Sequence, residues 1–501
     1  MSYLFTLALQ PRMFLMKSIR ALRKPIALPA SRASLLVLLL LGLFASGCGR
    51  REPYRTPDGR VIVTYWEKWT GFEADAMQEV IDDFNASQDR ILVQMLSTSQ
   101  IDQKVLLATA GGNPPDLAGL WSVQVNIFSE KNALTPLDRR LEEAGISESD
   151  YLPVYWDLCR HRGFTWALPS TPATLALHWN KDLFREAGLP PDQPPRSIAE
   201  LDEMAERLTL VELRRDGQPV QVPYSELTPA EKEAKTFRIV RMGFLPNEPG
   251  WWSTMWGYWF GAELLEDEET ISALTPENIA AFEWMQSYAE KYGVDNIRRF
   301  GSTFGNFASP QNPFLGGTLA MVLQGVWMFN FIDRYAPTLD WGAAPFPSVD
   351  PEGLPDVTLA ESDVLVIPRG ARHPDEAFEF MLYVNSPGPM ERLNIGQRKF
   401  SPLARTSASF EDEHPNPNIA VFRDLAAGPG VRTAPQTTVW SEYNTELAVA
   451  VDRVYSLIAT PQEALRQAQD RAQWKMDRVS RRWHHVGDAR LQQWSEYADA
   501  R

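Results

Sequence analysis

Short β-branched runs alternate with stretches of helical apolar spacing over residues 61–112, and this alternation restricts the chain to a few α/β arrangements. Val61-Ile-Val-Thr-Tyr-Trp66 suits a buried strand. Ala74, Met77, Val80, Ile81 and Phe84 then recur at helical spacing until Asn85-Ala86-Ser87 breaks the pattern. Ile91-Leu-Val-Gln-Met95 reads as the next strand, and residues 101–110 as the next helix, stopped by Gly111-Gly112. Neighbouring parallel strands need a crossover helix of this kind, so the order predicts an α/β lobe with a largely parallel sheet. At 501 residues the chain exceeds one small core, and two lobes are the expectation.

Ahead of that pattern stands an export signal. Arg12, Lys17, Arg20, Arg23, Lys24 and Arg32 precede residues 35–44, which are apolar apart from Gly42. Ten residues are too few to span a bilayer, which takes about 20, but they match the apolar core of a signal peptide behind its positive region. Ala45-Ser46-Gly47-Cys48 follows and resembles the bacterial lipobox, although Ala45 stands where leucine is usual. That resemblance implies a signal peptide over residues 1–47, cleavage after Gly47 and acylation of Cys48. Each buried CH₂ of the acyl chains would add about 0.8 kcal/mol to membrane residence. An ordinary secretory signal cut near Ala45, with Cys48 incidental, is the alternative. Met16-Lys17 reads as a better start than Met1, which makes residues 1–15 a doubtful beginning. Residues 48–60 are then the modified cysteine and a polar tether.

The charge balance excludes one large class of function. All six basic residues of the leader lie before Cys48 and no acid does, so the rest of the chain carries 43 basic against 64 acidic residues. A nucleic-acid binder needs a basic footprint to neutralise phosphates, and none is visible. Two cysteines, Cys48 and Cys159, rule out a disulfide framework or a CxxC site, and Cys159 is expected as a small buried core residue. The six histidines have no HExxH spacing, and GxSxG, Walker A and GxGxxG motifs are missing, so neither metal nor cofactor is expected.

Several helix starts carry a hydroxyl followed three residues later by glutamate, as a capping box requires: Ser197–Glu200, Thr228–Glu231 and Thr460–Glu463. The last two also have proline at the first helical position. Residues 375–383 and 461–483 read as helices, and residues 211–235 as an irregular surface excursion.

Six segments, in order, are similar to the solute-binding proteins of ABC importers that include maltose-binding protein. They are Val61–Gly71 with its following helix; Gly112-Asn-Pro-Pro-Asp116 with Trp121 and Asn132-Ala-Leu-Thr-Pro-Leu-Asp138; Ala167-Leu-Pro-Ser-Thr-Pro172 through Asn180-Lys-Asp-Leu-Phe184 to Pro194-Pro195; Gly316-Gly-Thr-Leu-Ala-Met321 with Gly325-Val-Trp327 and Trp341-Gly-Ala-Ala-Pro-Phe-Pro347; Val364-Leu-Val-Ile-Pro368 with His373-Pro-Asp-Glu-Ala-Phe378; and Thr460-Pro-Gln-Glu-Ala-Leu465. The resemblance implies a two-lobed α/β periplasmic-binding-protein fold (type II), its ligand cleft lying between lobes joined by chain crossovers. Lobe one would comprise residues 61–171 plus 324–386, and lobe two residues 172–323 plus 387–501, with crossovers near 169–172, 321–325 and 385–389. It further implies an exported monomer, lipid-anchored at the cell envelope, that passes a carbohydrate, with an oligosaccharide foremost, to ABC permease subunits in the membrane. A sugar phosphate or polyol ranks next. A secreted glycoside-acting enzyme, built on paired carboxylates in an acidic cleft, is the rival reading. A surface lipoprotein with no transport role is the third.

Sugars present C–H faces that stack on aromatic rings and hydroxyls that need paired donors and acceptors. Seventeen tryptophans supply the first. Trp66, Glu67, Trp69 and Thr70 sit at the carboxyl end of the first strand, where an α/β lobe meets its ligand. Trp251, Trp252 and Trp256 are expected to place at least one ring on ligand, although Trp252, Trp256 and Trp259 have a spacing that equally packs a core. Trp121 and Trp327 are further candidates, with Ser122, Thr171 and Gly325 beside them in the matching segments. Glu361 and Asp363 flank Ser362 where related proteins often carry Gly-Gly-Ser, and either hydrogen-bond hydroxyls or form a solvated turn. Gln397 and Arg398 close the set.

Overall fold

The computed structural model describes residues 54–499. The expected signal peptide, the start at Met16 and the acylated Cys48 lie outside the described residues.

The opening alternation folds as its spacing dictates. In chain order come β1 (Val61–Glu67), α1 (Phe72–Ser87), β2 (Ile91–Ser97), α2 (Ile101–Ala110) and β3 (Leu117–Trp121). β1 pairs in parallel with β2, Val61 opposite Ile91, and in parallel with β3, Tyr65 opposite Leu117. Val61, Val63, Tyr65 and Glu67 are buried on alternate positions, the period of a pleated strand.

The expectation of a largely parallel sheet fails beyond this point. β4 (Ala167–Asn180) is buried along its whole length. After α3 (Pro276–Tyr292) come β5 (Met321–Gly325), α4 (Met328–Tyr335), β6 (Trp341–Ala344) and β7 (Thr358–Val366). The strand order is β5-β4-β7-β3-β1-β2, with β6 also paired to β4. β7 runs antiparallel to both β3 and β4, and β5 and β6 run antiparallel to β4. Among β1 to β7, parallel pairing is confined to strands with α1 and α2 between them; a two-residue strand, Val431–Arg432, also runs parallel to β7. β4 and β7 enter from the far part of the molecule in the opposite sense and need no such crossover.

These two long strands join two cores. Leu168 of β4 and Leu365 of β7 belong to a core with Val63, Met77, Val80, Phe84 and Phe380, whereas Leu175, Leu177 and Leu359 belong to a second with Trp256, Trp259 and Trp284. Helices α5 (Pro374–Val384) and α6 (Pro387–Gly396) back the first core; α3 and α7 (Trp440–Tyr455) back the second. Cys159 is fully buried and free, as expected, and burial pushes its thiol pKa well up.

Two local expectations need correction. Residues 211–235 are not irregular: Leu210–Arg215 and Gln218–Pro223 form a hairpin around Asp216-Gly217, both with positive φ, and Pro229–Ala234 is helical. Asp-Gly is a favoured two-residue hairpin turn, and the buried Val211 and Leu213 keep strand periodicity among polar neighbours. The last helix, α8 (Pro461–Asp499), runs well past residue 483. Of the three boxes, Thr228–Glu231 and Thr460–Glu463 bond reciprocally, whereas Ser197 caps Glu200 but Glu200 reaches back to the Arg196 amide.

Candidate functional site

The carboxyl ends of β1, β2 and β3 open together on a cavity of about 460 Å³. They deliver Lys68, Trp69, Thr70, the 98–100 turn and Trp121. Facing them are Trp251, Trp252, Phe307, Trp327 and Phe331, while Thr171 of β4 and Glu361, Ser362 and Asp363 of β7 form the floor where the strands cross between cores.

The walls are aromatic. Trp251 and Trp121 are 47% and 44% exposed, unusual for tryptophan, and offer ring faces to the opening. Trp251 packs on Phe307 at 4.8 Å and on Trp252 at 5.8 Å; Phe307 packs on Phe331 at 5.0 Å, and Trp252 on Trp327 at 6.1 Å. These contacts hold the rings in a fixed wall rather than leaving them to collapse into the cavity.

The floor is charged and bonded. Lys68 Nζ lies 2.9 Å from Asp363 and 3.2 Å from Glu67, between the rings of Trp69 and Trp121 at 5.0 and 5.1 Å. Lys399 Nζ lies 3.3 Å from Asp363 and 3.5 Å from Glu73, and donates to Thr171 Oγ1 at 3.2 Å. Thr171 in turn donates to Asp363 at 2.7 Å. Burial pushes the Asp363 carboxyl up, but Lys68 and Lys399 outweigh it and hold the pKa at about 2. Glu361 is pushed the other way, to about 7, by burial and by the charge of Asp363. Burial likewise raises Glu73. For Lys68, burial works against the charged form, yet Asp363 and Glu67 prevail and its pKa is raised.

Of the residues singled out from sequence, Trp69, Thr70, Trp121, Thr171, Trp251, Trp252, Trp327, Glu361 and Asp363 line this cavity. Six do not. Trp256 is 1% exposed and donates its indole N–H to the Pro246 carbonyl in the second core, so its helical spacing reflects packing. Trp66 falls on the other face of β1 from Tyr65 and packs against the cluster around Leu120 and Trp166. Glu67 lies beneath Lys68, accepting from Tyr65 Oη at 2.5 Å and from the Lys68 amide at 2.7 Å. Gly119 makes room for it, since a Cβ there would fall 1.7 Å from Glu67 Oε2. Ser122 Oγ accepts from the Ser362 amide, a tie between strands. Gly325 acts through its missing side chain: a Cβ would meet the Trp327 ring at 2.3 Å. Arg398 turns to Asp333 at 3.5 Å, and Lys399 takes the place at the cavity. Gln397 is fully buried and donates to the Glu73 carbonyl.

Sequence reasoning missed Lys68, Phe72, Glu73, Phe307, Phe331 and Lys399. Lys68 was legible in principle, because it lies inside the strand-end loop between two chosen residues. The others come from the start of α1, from α4 and from two distant loops, whose convergence no local pattern encodes. Among the described residues no group of His, Cys, Asp and Glu is arranged to hold a metal ion.

Known proteins share this fold. CpMnBP1, solved with mannobiose bound, superposes with a TM-score of 0.68 at 27% identity, covering 82% of this chain and 99% of its own. The maltose/maltodextrin-binding domain MalE of Bdellovibrio bacteriovorus, bound to maltotriose, gives a TM-score of 0.63 at 18% identity, covering 83% of this chain and all of its own. The expected α/β periplasmic-binding-protein fold is therefore the observed one. A chain of Brucella abortus (strain 2308) named as a binding protein is 22% identical over 370 residues, 74% of this chain and 82% of its own length. Residues 72–391 match the profile described as bacterial extracellular solute-binding protein. The chain belongs to that family, whose members bind solutes rather than transform them.

Proposed function

We propose that this protein captures a carbohydrate outside the cytoplasm and delivers it to an ABC permease, tethered to the envelope through acylated Cys48. The observation that carries the sugar reading is the pairing of exposed Trp121 and Trp251 rings with a hydrogen-bonding floor of Thr171, Asp363 and Lys399. Stacking surfaces and oriented polar groups are the two things a pyranose needs. The mannobiose held by CpMnBP1 supports the same class of ligand.

In this reading one lobe is built on the core of β1, β2, α1, α5 and α6 and the other on the core of α3, α4 and α7, with β4 and β7 passing between them; the boundaries expected at 324 and 386 move accordingly. Ligand contacts from both lobes select the closed form, a hinge closure about the crossing strands. The residues offered as ligand contacts are Trp69, Thr70, Trp121, Thr171, Trp251, Trp252, Trp327, Glu361 and Asp363, with Lys68, Glu73 and Lys399 added. The carboxyl-rich floor disfavours a phosphorylated sugar, whose charge it would repel.

A thermal-shift screen over mannobiose, mannotriose, maltotriose and other mono- and oligosaccharides tests the reading. A bound sugar at about 100 times its dissociation constant should stabilise the chain by about 2.7 kcal/mol. Trp251→Ala should weaken that binding by about 1 kcal/mol or more while leaving the melting point of the free protein close to the parent's. Stabilisation by another solute class and by no sugar would overturn the proposal.

A further inference from the structure

Three carboxyls line the cavity, Glu73, Glu361 and Asp363, against two ammonium groups, Lys68 and Lys399. Both lysines are committed. Lys68 bonds Glu67 and Asp363, and Lys399 bonds Asp363, Glu73 and Thr171. Glu361 alone of these charged lining residues has no hydrogen bond or ion pair among the described residues. It is half-buried on β7, opposite Ala173 of β4, and shares the cavity with Trp251, Trp327, Phe307 and Phe331.

A carboxylate in such a place has its desolvation unmet, and its neighbour Asp363 adds repulsion. A hydroxyl donating to Glu361 would answer part of this; a positive charge would answer both parts. The rings around it favour the same group, since aromatic faces attract cations. The site already shows that preference, with the Lys68 ammonium between Trp69 and Trp121.

We propose that the cavity selects a saccharide carrying a basic amine, its ammonium placed against Glu361 among the tryptophan and phenylalanine rings. The rest of the sugar stacks on Trp121 and Trp251. Trp252, more than nine-tenths buried in the same wall, keeps its indole N–H without an acceptor among the described residues and supplies a donor for a sugar oxygen. The inference rests on the carbohydrate reading and narrows it.

Titration calorimetry on the full chain at neutral pH tests it with matched ligand sets that differ only at C2. Glucose, mannose and galactose are compared with the corresponding 2-amino and 2-acetamido sugars, and cellobiose with the glucosamine dimer and its diacetyl form. In at least one set the amine should bind about tenfold tighter than its hydroxyl and acetamido counterparts. Glu361→Gln should cut the amine's affinity so that the ratio falls to near one. If the hydroxyl or acetamido member binds as well as the amine throughout, the amine proposal fails and the carbohydrate reading stands. A preference that survives Glu361→Gln overturns the placement at Glu361. If no sugar of any set binds, both fall together. Should the variant not fold, the parent ratios alone decide.

Discussion

Glu361 and Asp363 lie two positions apart on one strand, yet one carboxyl is held near 7 and the other near 2. Burial raises both; Asp363 escapes because Lys68 and Lys399 bond it, whereas Glu361 faces Asp363 with only a distant pull from Lys399. The consequences for stability have opposite signs. Between the ordinary glutamate range and pH 7 the folded chain holds a proton on Glu361 that the unfolded chain has released, so stability falls as pH rises through that window. For Asp363 the stabilisation is present above the ordinary aspartate range and is lost only as pH falls toward 2. Glu361→Gln should therefore raise the melting point little at pH 5 and more at pH 8, with a ceiling of about 3 kcal/mol. Equal shifts at both values would sink the assignment. At this scale the sequence disclosed residue types and not partnerships. Glu361, Asp363 and Trp69 stood out by position and chemistry, but the bonds from Lys399 to Glu73 and Asp363 join segments more than 300 and 30 residues apart.

Elements were more legible where a period repeats and a stop signal follows. The α1 pattern of Ala74 to Phe84 and the glycine stop after α2 match the observed helices within a few residues. The hairpin at 210–223 was missed because only Val211 and Leu213 carry its buried face, while its turn signal is a single Asp-Gly pair. That pair now makes a specific expectation. Asp216 and Gly217 both adopt positive φ, at 53° and 80°, and a β-branched residue pays heavily there. Gly217→Val should cost about 1–2 kcal/mol in stability and reduce hydrogen-exchange protection along residues 210–223. Ligand affinity should stay at the parent value, because no residue of the hairpin lines the cavity. Loss of protection spread evenly over the chain would mean that the turn is not the local determinant. The parallel order of β1, β2 and β3 was readable for the same reason as their helices. The antiparallel entry of β4 and β7 was not, because it depends on where a strand returns after a long excursion.

For the molecule as a whole, helix α8 ties together parts that no local sequence pattern connects. Ala464, Leu465, Ala468, Ala472 and Met476 pack in the second core, as the helical period predicts. Beyond residue 480 the same helix reaches a different cluster, around Val105, Leu120 and Trp166 behind β3. There Trp494 is fully buried, stands edge-on to Trp166 at 4.9 Å, and donates its indole N–H to Asn132 at 3.1 Å. Arg490 donates to the Glu130 carbonyl, and the Arg162 and Arg369 guanidinium groups lie over Trp483 and Tyr497. One helix is thus held at both ends by separate cores, and any relative motion of those cores must bend it or release its far end. Trp494→Ala removes the largest contact at that end and leaves Asn132 without its donor. It should destabilise the chain by about 3–5 kcal/mol. Hydrogen exchange should accelerate first in residues 483–499, with 461–476 still protected by the second core. If both halves of the helix lost protection together, α8 would be one cooperative unit instead of a strut with two anchorages, and cutting its far contacts would not free the two cores to move.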